Sequence, residues 1–176
     1  MTEYTKETKK DATEASRAEK EAFLRQYGRM KERVHVLHDR LRRQAHKKYG
    51  VSAMVYDRPP SATTNVKKDI PPAVITAIDQ SIEIEDEITQ LTQKMSALNR
   101  ILRMRVNDTR LLNALELRYI DCLLRKECAC ALGLSHENSF DKLHARAIDA
   151  FHLTRADIEE VQRIKKPTRG NVTAGG

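Results

Sequence analysis

The apolar positions of this chain fall into two long stripes with one shared period. Phe23, Tyr27, Met30, Val34, Leu37 and Leu41 step by 4, 3, 4, 3, 4, and Ile84, Ile88, Leu91, Met95, Leu98 and Leu102 repeat those steps. Such spacing keeps one face of a helix apolar, the heptad seam of helices that pack side by side. No proline interrupts the first stripe before Gly50, which follows the basic turn Lys47-Lys48-Tyr49 and suits a helix C-cap. The pattern predicts a first helix over about 17–49. Asp69 and Pro71-Pro72 open a second, and Ile75, Ile78 and Ile82 widen its stripe near the start. Each helix would span about 50 Å. A stripe of that length is not left in water, so the helices pair within the chain, between chains, or both; the pattern allows each.

Around these stripes the punctuation is clear. Residues 1–15 mix charges and threonines without periodicity, which predicts a disordered lead-in. Residues 50–71 hold Pro59-Pro60 and a Ser-Ala-Thr-Thr-Asn run, a loop. Asn107-Asp108-Thr109 interrupts the second seam with good capping residues, and Leu111, Leu112, Leu115 and Tyr119 then share one face of a third helix. A turn at Asp121-Cys122 leads to a short helix over 125–132. Gly133 suits a left-handed C′ position and Ser135 an N-cap for a helix burying Phe140, Leu143, Ala147 and Ile148. Thr154-x-x-Asp157 resembles a capping box for a last helix with Ile158, Val161 and Ile164, followed by a tail over 166–176. The expected fold is all-α: a long helical hairpin or coiled coil over 16–106, then a helix-turn-helix domain over 107–165.

Composition agrees with long helices and excludes several classes. Of 176 residues, 32% are charged and 5% aromatic, Trp is absent and mean hydropathy is −0.62, which disfavours a sandwich or barrel. No apolar run approaches the roughly 18 residues of a membrane span, and the polar N-terminus lacks a signal-peptide core, so the expectation is a cytoplasmic protein. Cys122, Cys128 and Cys130 are an odd, clustered set, which argues against disulfides. With His136 they fit no common zinc spacing and are expected to be small buried side chains. No Gly-rich phosphate loop appears, nor a nucleophile with a convincing base. His35 and His38 read as solvated, His144 as packed or half-buried, and Glu83-x-Glu85-Asp86-Glu87 as a solvated acidic patch. No enzymatic activity, cofactor or metal is expected.

The net charge of +7 is concentrated. Residues 1–50 carry 14 basic and 8 acidic groups, whereas 51–107 carry 7 of each and 108–176 carry 11 and 10. Arg40, Arg42, Arg43, Lys47 and Lys48 are therefore candidate phosphate contacts, although a cationic helix face is more commonly just solvated.

The stretch from Glu127 to His144 has the order of a helix-turn-helix: Ala129 where a crossing helix needs a small residue, Gly133 in the turn, Ser135 at the cap. A plain helical bundle could use the same turn chemistry. The candidate DNA-contacting residues are Arg125, Lys126, Ser135, His136, Asn138, Ser139, Lys142 and Arg146, types that bond to base edges or phosphates. Glu137 and Asp141 oppose phosphate on the same helix.

Arg118-Tyr119-Ile120, Cys128-Ala129, Leu132-Gly133-x-Ser135, Leu143-His144 and Ala147-Ile148 together resemble region 4 of sigma factors. They are closer still to the ArpU/RinA-type phage and prophage transcriptional regulators of Gram-positive bacteria. The motif covers roughly a quarter of the chain, and the helical preface over 20–106 extends it less specifically. Three features depart from the sigma pattern: Cys128 replaces Ile, the stretch from Ser135 to Ala147 is one residue longer, and the exposed face is less basic. The resemblance implies a late-gene regulator in a bacterial host cell that binds double-stranded DNA, associates as a homo-oligomer and contacts host RNA polymerase. Two other readings fit the same layout: a small-terminase-like packaging subunit, and a coiled-coil adaptor that contacts RNA polymerase without binding DNA.

Overall fold

The computed structural model describes residues 14–53, 72–165 and 167. The expected lead-in over 1–13, the loop over 54–71 and all of the tail except Pro167 lie outside the described residues.

Among the described residues the chain is all-helical. Its elements are α1 (Arg17–Ala53), α2 (Pro72–Arg105), α3 (Thr109–Leu115), α4 (Arg125–Ala131), α5 (Glu137–Ala150) and α6 (Arg155–Arg163). α3 widens into a π-helical turn over Glu116–Ile120. Among the described residues, no helix is long and apolar enough to cross a membrane.

α1 starts at a reciprocal cap. The Ser16 hydroxyl accepts from the Glu19 N–H at 3.3 Å, and the Glu19 carboxylate accepts from the Ser16 N–H at 2.7 Å. The helix then runs through Gly50 to Ala53, past the expected C-cap and into the expected loop. One glycine inside a helix costs only about 1 kcal/mol. Val51-Ser52-Ala53 holds no proline to stop the turn.

α1 and α2 pack antiparallel within one chain, one of the pairings the pattern allowed. Arg33 forks onto Glu87 at 2.8 and 3.3 Å, and the Ser81 hydroxyl donates to the Gln44 carboxamide oxygen at 3.2 Å. The seam between them is deepest near the start of α1 and the end of α2, where Phe23, Leu98 and Leu102 are buried. Toward the other end cover is lost: Ile75 is 49% exposed and Ile78 38%.

The deep end of that seam is not a separate core. Phe23, Leu24, Leu98 and Leu102 join Leu115, Phe140, Ile148 and Phe151 in one apolar cluster. The Phe23 and Phe151 rings lie 6.4 Å apart, centre to centre. The α1–α2 pair and the shorter helices thus fold around a shared interior. Ala15, expected in the lead-in, belongs to it too, with the exposed Glu14 beside it. Ala15 is buried, its N–H donates to the Leu153 carbonyl at 2.9 Å, and Glu14 forms an isolated bridge with Thr154.

The shorter helices are held by their caps. The Asp108 carboxylate accepts from the N–H groups of Arg110 and Leu111 at 2.8 and 3.2 Å. At α6, Thr154 and Asp157 exchange the bonds of a capping box, and Arg105 reaches Asp157 at 2.9 Å from the end of α2. Burial alone would raise the Asp157 carboxyl, but the bonds from Arg105 and Thr154 outweigh it and hold the group below its usual range. α4 ends in a Schellman motif: the Leu134 N–H donates to the Ala129 carbonyl at 2.8 Å and the Gly133 N–H to the Cys130 carbonyl at 3.0 Å.

Gly133 holds φ +66°, and a Cβ built there meets nothing within 4 Å. Any cost of substitution is therefore backbone strain rather than collision. Gly133→Ala is expected to lower stability by about 1–2 kcal/mol, and Gly133→Asn by less, because Asn tolerates the left-handed region. Urea unfolding of the three proteins checks this; equal stability of all three would remove the strain argument.

Candidate nucleic-acid interface

The face in question is built by α4, the turn and α5. α4 buries only Cys128 and Ala129, the residues against which α5 packs. With so narrow a buried edge, Cys130 is left exposed. Cys122, in the turn before α4, is exposed as well. The expectation of three buried cysteines is therefore corrected to one. Cys122 also adopts φ +62°, and α1 passes it at Gly28, where a Cβ would stand 3.4 Å from the Cys122 sulfur.

α5 begins one residue later than expected. His136 is its N-cap, in extended backbone and without a side-chain bond, while Ser135 stays exposed in the turn. From there the helix divides cleanly. Phe140, Leu143, Ala147 and Ile148 are buried, and the helical period turns Asn138, Ser139, Lys142 and Arg146 to the opposite, exposed side. His136 and Glu137 are exposed at its start.

Not every candidate shares that side. Arg125 is engaged by Asp141 and lines a different cleft, between α1 and α5, with Arg118, Tyr119 and His144. The same pairing removes Asp141 as a free repulsive charge. Lys126 is exposed at the start of α4. Arg40, Arg42 and Arg43 are exposed far along α1, and the side chains of Lys47 and Lys48 lie outside the described residues. Arg43 is about 30 Å along the helix from Phe23. The structure does not bring this basic patch to α5.

It does bring Arg110, which was not a candidate. Arg110, at the start of α3, lines a shallow groove with Ser139, Lys142 and Arg146, floored by Leu134 and Leu143. Nothing local in the sequence marks it, because it meets residues some thirty positions away only through the packing of α3 on α5.

On the other side of α5, His144 is half-buried between the rings of Tyr119 and Phe140, and its Nε2 lies 3.1 Å from the Tyr119 hydroxyl. Burial pushes the His144 imidazole below the ordinary histidine range. Arg118 and Arg17 add to this, against Glu21 and Asp141. Among the described residues, no three of His, Cys, Asp and Glu converge as metal ligands.

No protein-family model matches the chain, and neither a curated protein nor a solved structure matches it. The functional argument therefore rests on these residues and their geometry.

The depressed His144 sets a pH dependence. The unfolded chain takes up a proton near pH 6.5 while the folded protein resists it, so the unfolded state binds more protons and stability falls as pH drops through that value. His144→Gln is expected to flatten the loss between pH 7 and about 5. Thermal melts across that range check it, and identical slopes for both proteins would count against the buried neutral imidazole.

Proposed function

We propose that the protein binds double-stranded DNA through α4, the turn and α5 arranged as a helix-turn-helix. In this reading it acts as a phage or prophage transcription regulator of the late-gene activator type. The observation that carries the reading is the division of α5. One side is committed to the core, and the other presents Asn138, Ser139, Lys142 and Arg146 together, beyond a turn made rigid by the Schellman bonds. Asn suits an adenine edge, and Arg, Lys and Ser suit phosphate or base acceptors. The resemblance of the Arg118-to-Ile148 stretch to sigma region 4 and to ArpU/RinA-type regulators supports the same assignment. Arg125 is not part of the proposed surface, since Asp141 already engages it.

The α1–α2 pair is then a coiled-coil hairpin that serves assembly. Its intrachain seam covers much of both stripes, and the exposed Ile75 and Ile78 supply the surplus apolar surface that favours a homodimer of two-fold symmetry. Host RNA polymerase is the further partner of this reading. A small-terminase-like packaging role would use the same α5 face, and gene order beside a large terminase would select it.

Two outcomes are expected. First, Lys142→Ala with Arg146→Ala should weaken binding to a duplex selected from randomised DNA, each change costing about 1–3 kcal/mol. A folded double mutant with undiminished affinity in a shift assay at fixed salt would place the DNA surface elsewhere. Second, the protein should sediment as a dimer at micromolar concentration, and Ile75→Lys with Ile78→Lys should shift it toward the 20.2 kDa monomer. A wild-type monomer would leave only the intrachain seam.

A further inference from the structure

The surface cations are of two kinds. About half of the described arginines carry an ion pair, among them Arg25 with Glu21, Arg100 with Glu160, Arg103 with Glu116, Arg105 with Asp157 and Arg125 with Asp141. Arg110, Lys142 and Arg146 are different. Each is exposed, none has a carboxylate within ion-pair distance among the described residues, and all three border one groove. Lys142 and Arg146 stand one helical turn apart on α5, about 5–6 Å between their Cβ atoms. Arg110 faces them from α3. Ser139 adds a hydroxyl on the same rim, and Leu134 and Leu143 close the floor with apolar surface that offers no competing acceptor. Asp108, the carboxylate nearest in sequence to Arg110, has an oxygen committed to capping the backbone of α3.

Three convergent positive groups cost electrostatic free energy when they sit together without counterions. An anion that enters between them relieves that cost and takes up the donors at once. The anion must be small in cross-section, because the groove is shallow, and must reach two helices simultaneously.

We infer that this groove is a binding site for the phosphodiester backbone of DNA, with Arg110, Lys142 and Arg146 as the cationic contacts and Ser139 as a neutral donor. The inference rests on the DNA-binding reading and adds to it a division of labour along α5. Asn138 and His136, near the start of the helix, are left to meet base edges. The groove holds a strand beside them and sets how far the helix enters. Arg110 has no role in base recognition. It fixes register from α3, so the DNA surface extends beyond the two helices of the motif.

The test uses the full chain, a double-stranded DNA of mixed sequence, and affinity measured across a range of salt concentrations. Loss of one phosphate contact lowers the log–log salt slope by about one. Arg110→Ala is expected to show that drop and Arg110→Lys, which keeps the charge, to retain the wild-type slope. Arg163→Ala on α6 removes the same charge from a residue engaged with Glu159 and is expected to leave the slope unchanged. Circular dichroism melts establish that each variant folds, which the exposure of Arg110 makes the expected result. If the wild type binds but Arg110→Ala keeps its slope, the groove is overturned while DNA binding through α5 stands. If Arg163→Ala drops the slope equally, a diffuse field replaces the site. If the wild type binds no duplex at any salt, the DNA-binding reading falls and takes the groove with it.

Discussion

The packing of Phe23 against Phe151 decides how this molecule is put together. One ring comes from near the start of the long first helix and the other from just past the end of α5, so their contact closes one of the longest loops of chain in the shared core. A fully buried aromatic of this size contributes about 1.5–3 kcal/mol through the water it sheds. Its position matters more than its amount. The same neighbourhood draws in Ala15, whose N–H is taken by the Leu153 carbonyl, and Leu98 and Leu102 from the end of α2. Without that junction α5 would have only α3 and α4 to lie on, a small core for a helix with one side exposed.

Electrostatics follow the same division. Residues 108–176 are nearly neutral in sum, and on that total alone they would not attract a polyanion. The sum hides a separation. Asp141 cancels Arg125 on the side of α5 that meets α1, Asp157 cancels Arg105 beneath α6, and Glu116 cancels Arg103. These acidic groups are engaged in ion pairs that tie helices together. On α5 the exposed Lys142 and Arg146 carry no ion pair, and the exposed Glu137 and Asp149 stand against them on the same helix. Exposed pairs of this kind add little to stability, about 0–1 kcal/mol each. Their effect on where charge is left over is larger than their effect on folding.

Much of this was legible from spacing. The two seams, the Asp108 and Thr154 caps, the left-handed Gly133 and the buried set Phe140, Leu143, Ala147 and Ile148 all follow from residue type and local period, and local rules govern them. The errors share a different cause. Gly50 was read as a terminator, yet a single glycine is too weak a breaker when no proline follows at once. Arg125 was read as free because its partner, Asp141, lies 16 residues away on another helix. Arg110 was passed over because only the fold brings α3 beside α5. Cys122 and Cys130 were expected inside, but α4 is too short and too narrowly packed to bury more than Cys128 and Ala129. Residues whose role depends on one neighbour are readable from the sequence. Those whose role depends on which helices meet are not.

The antiparallel packing of α1 and α2 carries a consequence for distance. Because the start of α1 is fixed in the core with α5, the far end of the pair is a strut rather than a tether. Arg43 stands about 30 Å out from Phe23, close to nine rises of a B-form duplex. Nine steps come near to one full turn of DNA, about 10–10.5 base pairs. If α5 binds a duplex as proposed and that duplex runs alongside the pair, a body held at the far end would meet nearly the same side of the double helix. A flexible linker of equal reach would impose no such phase.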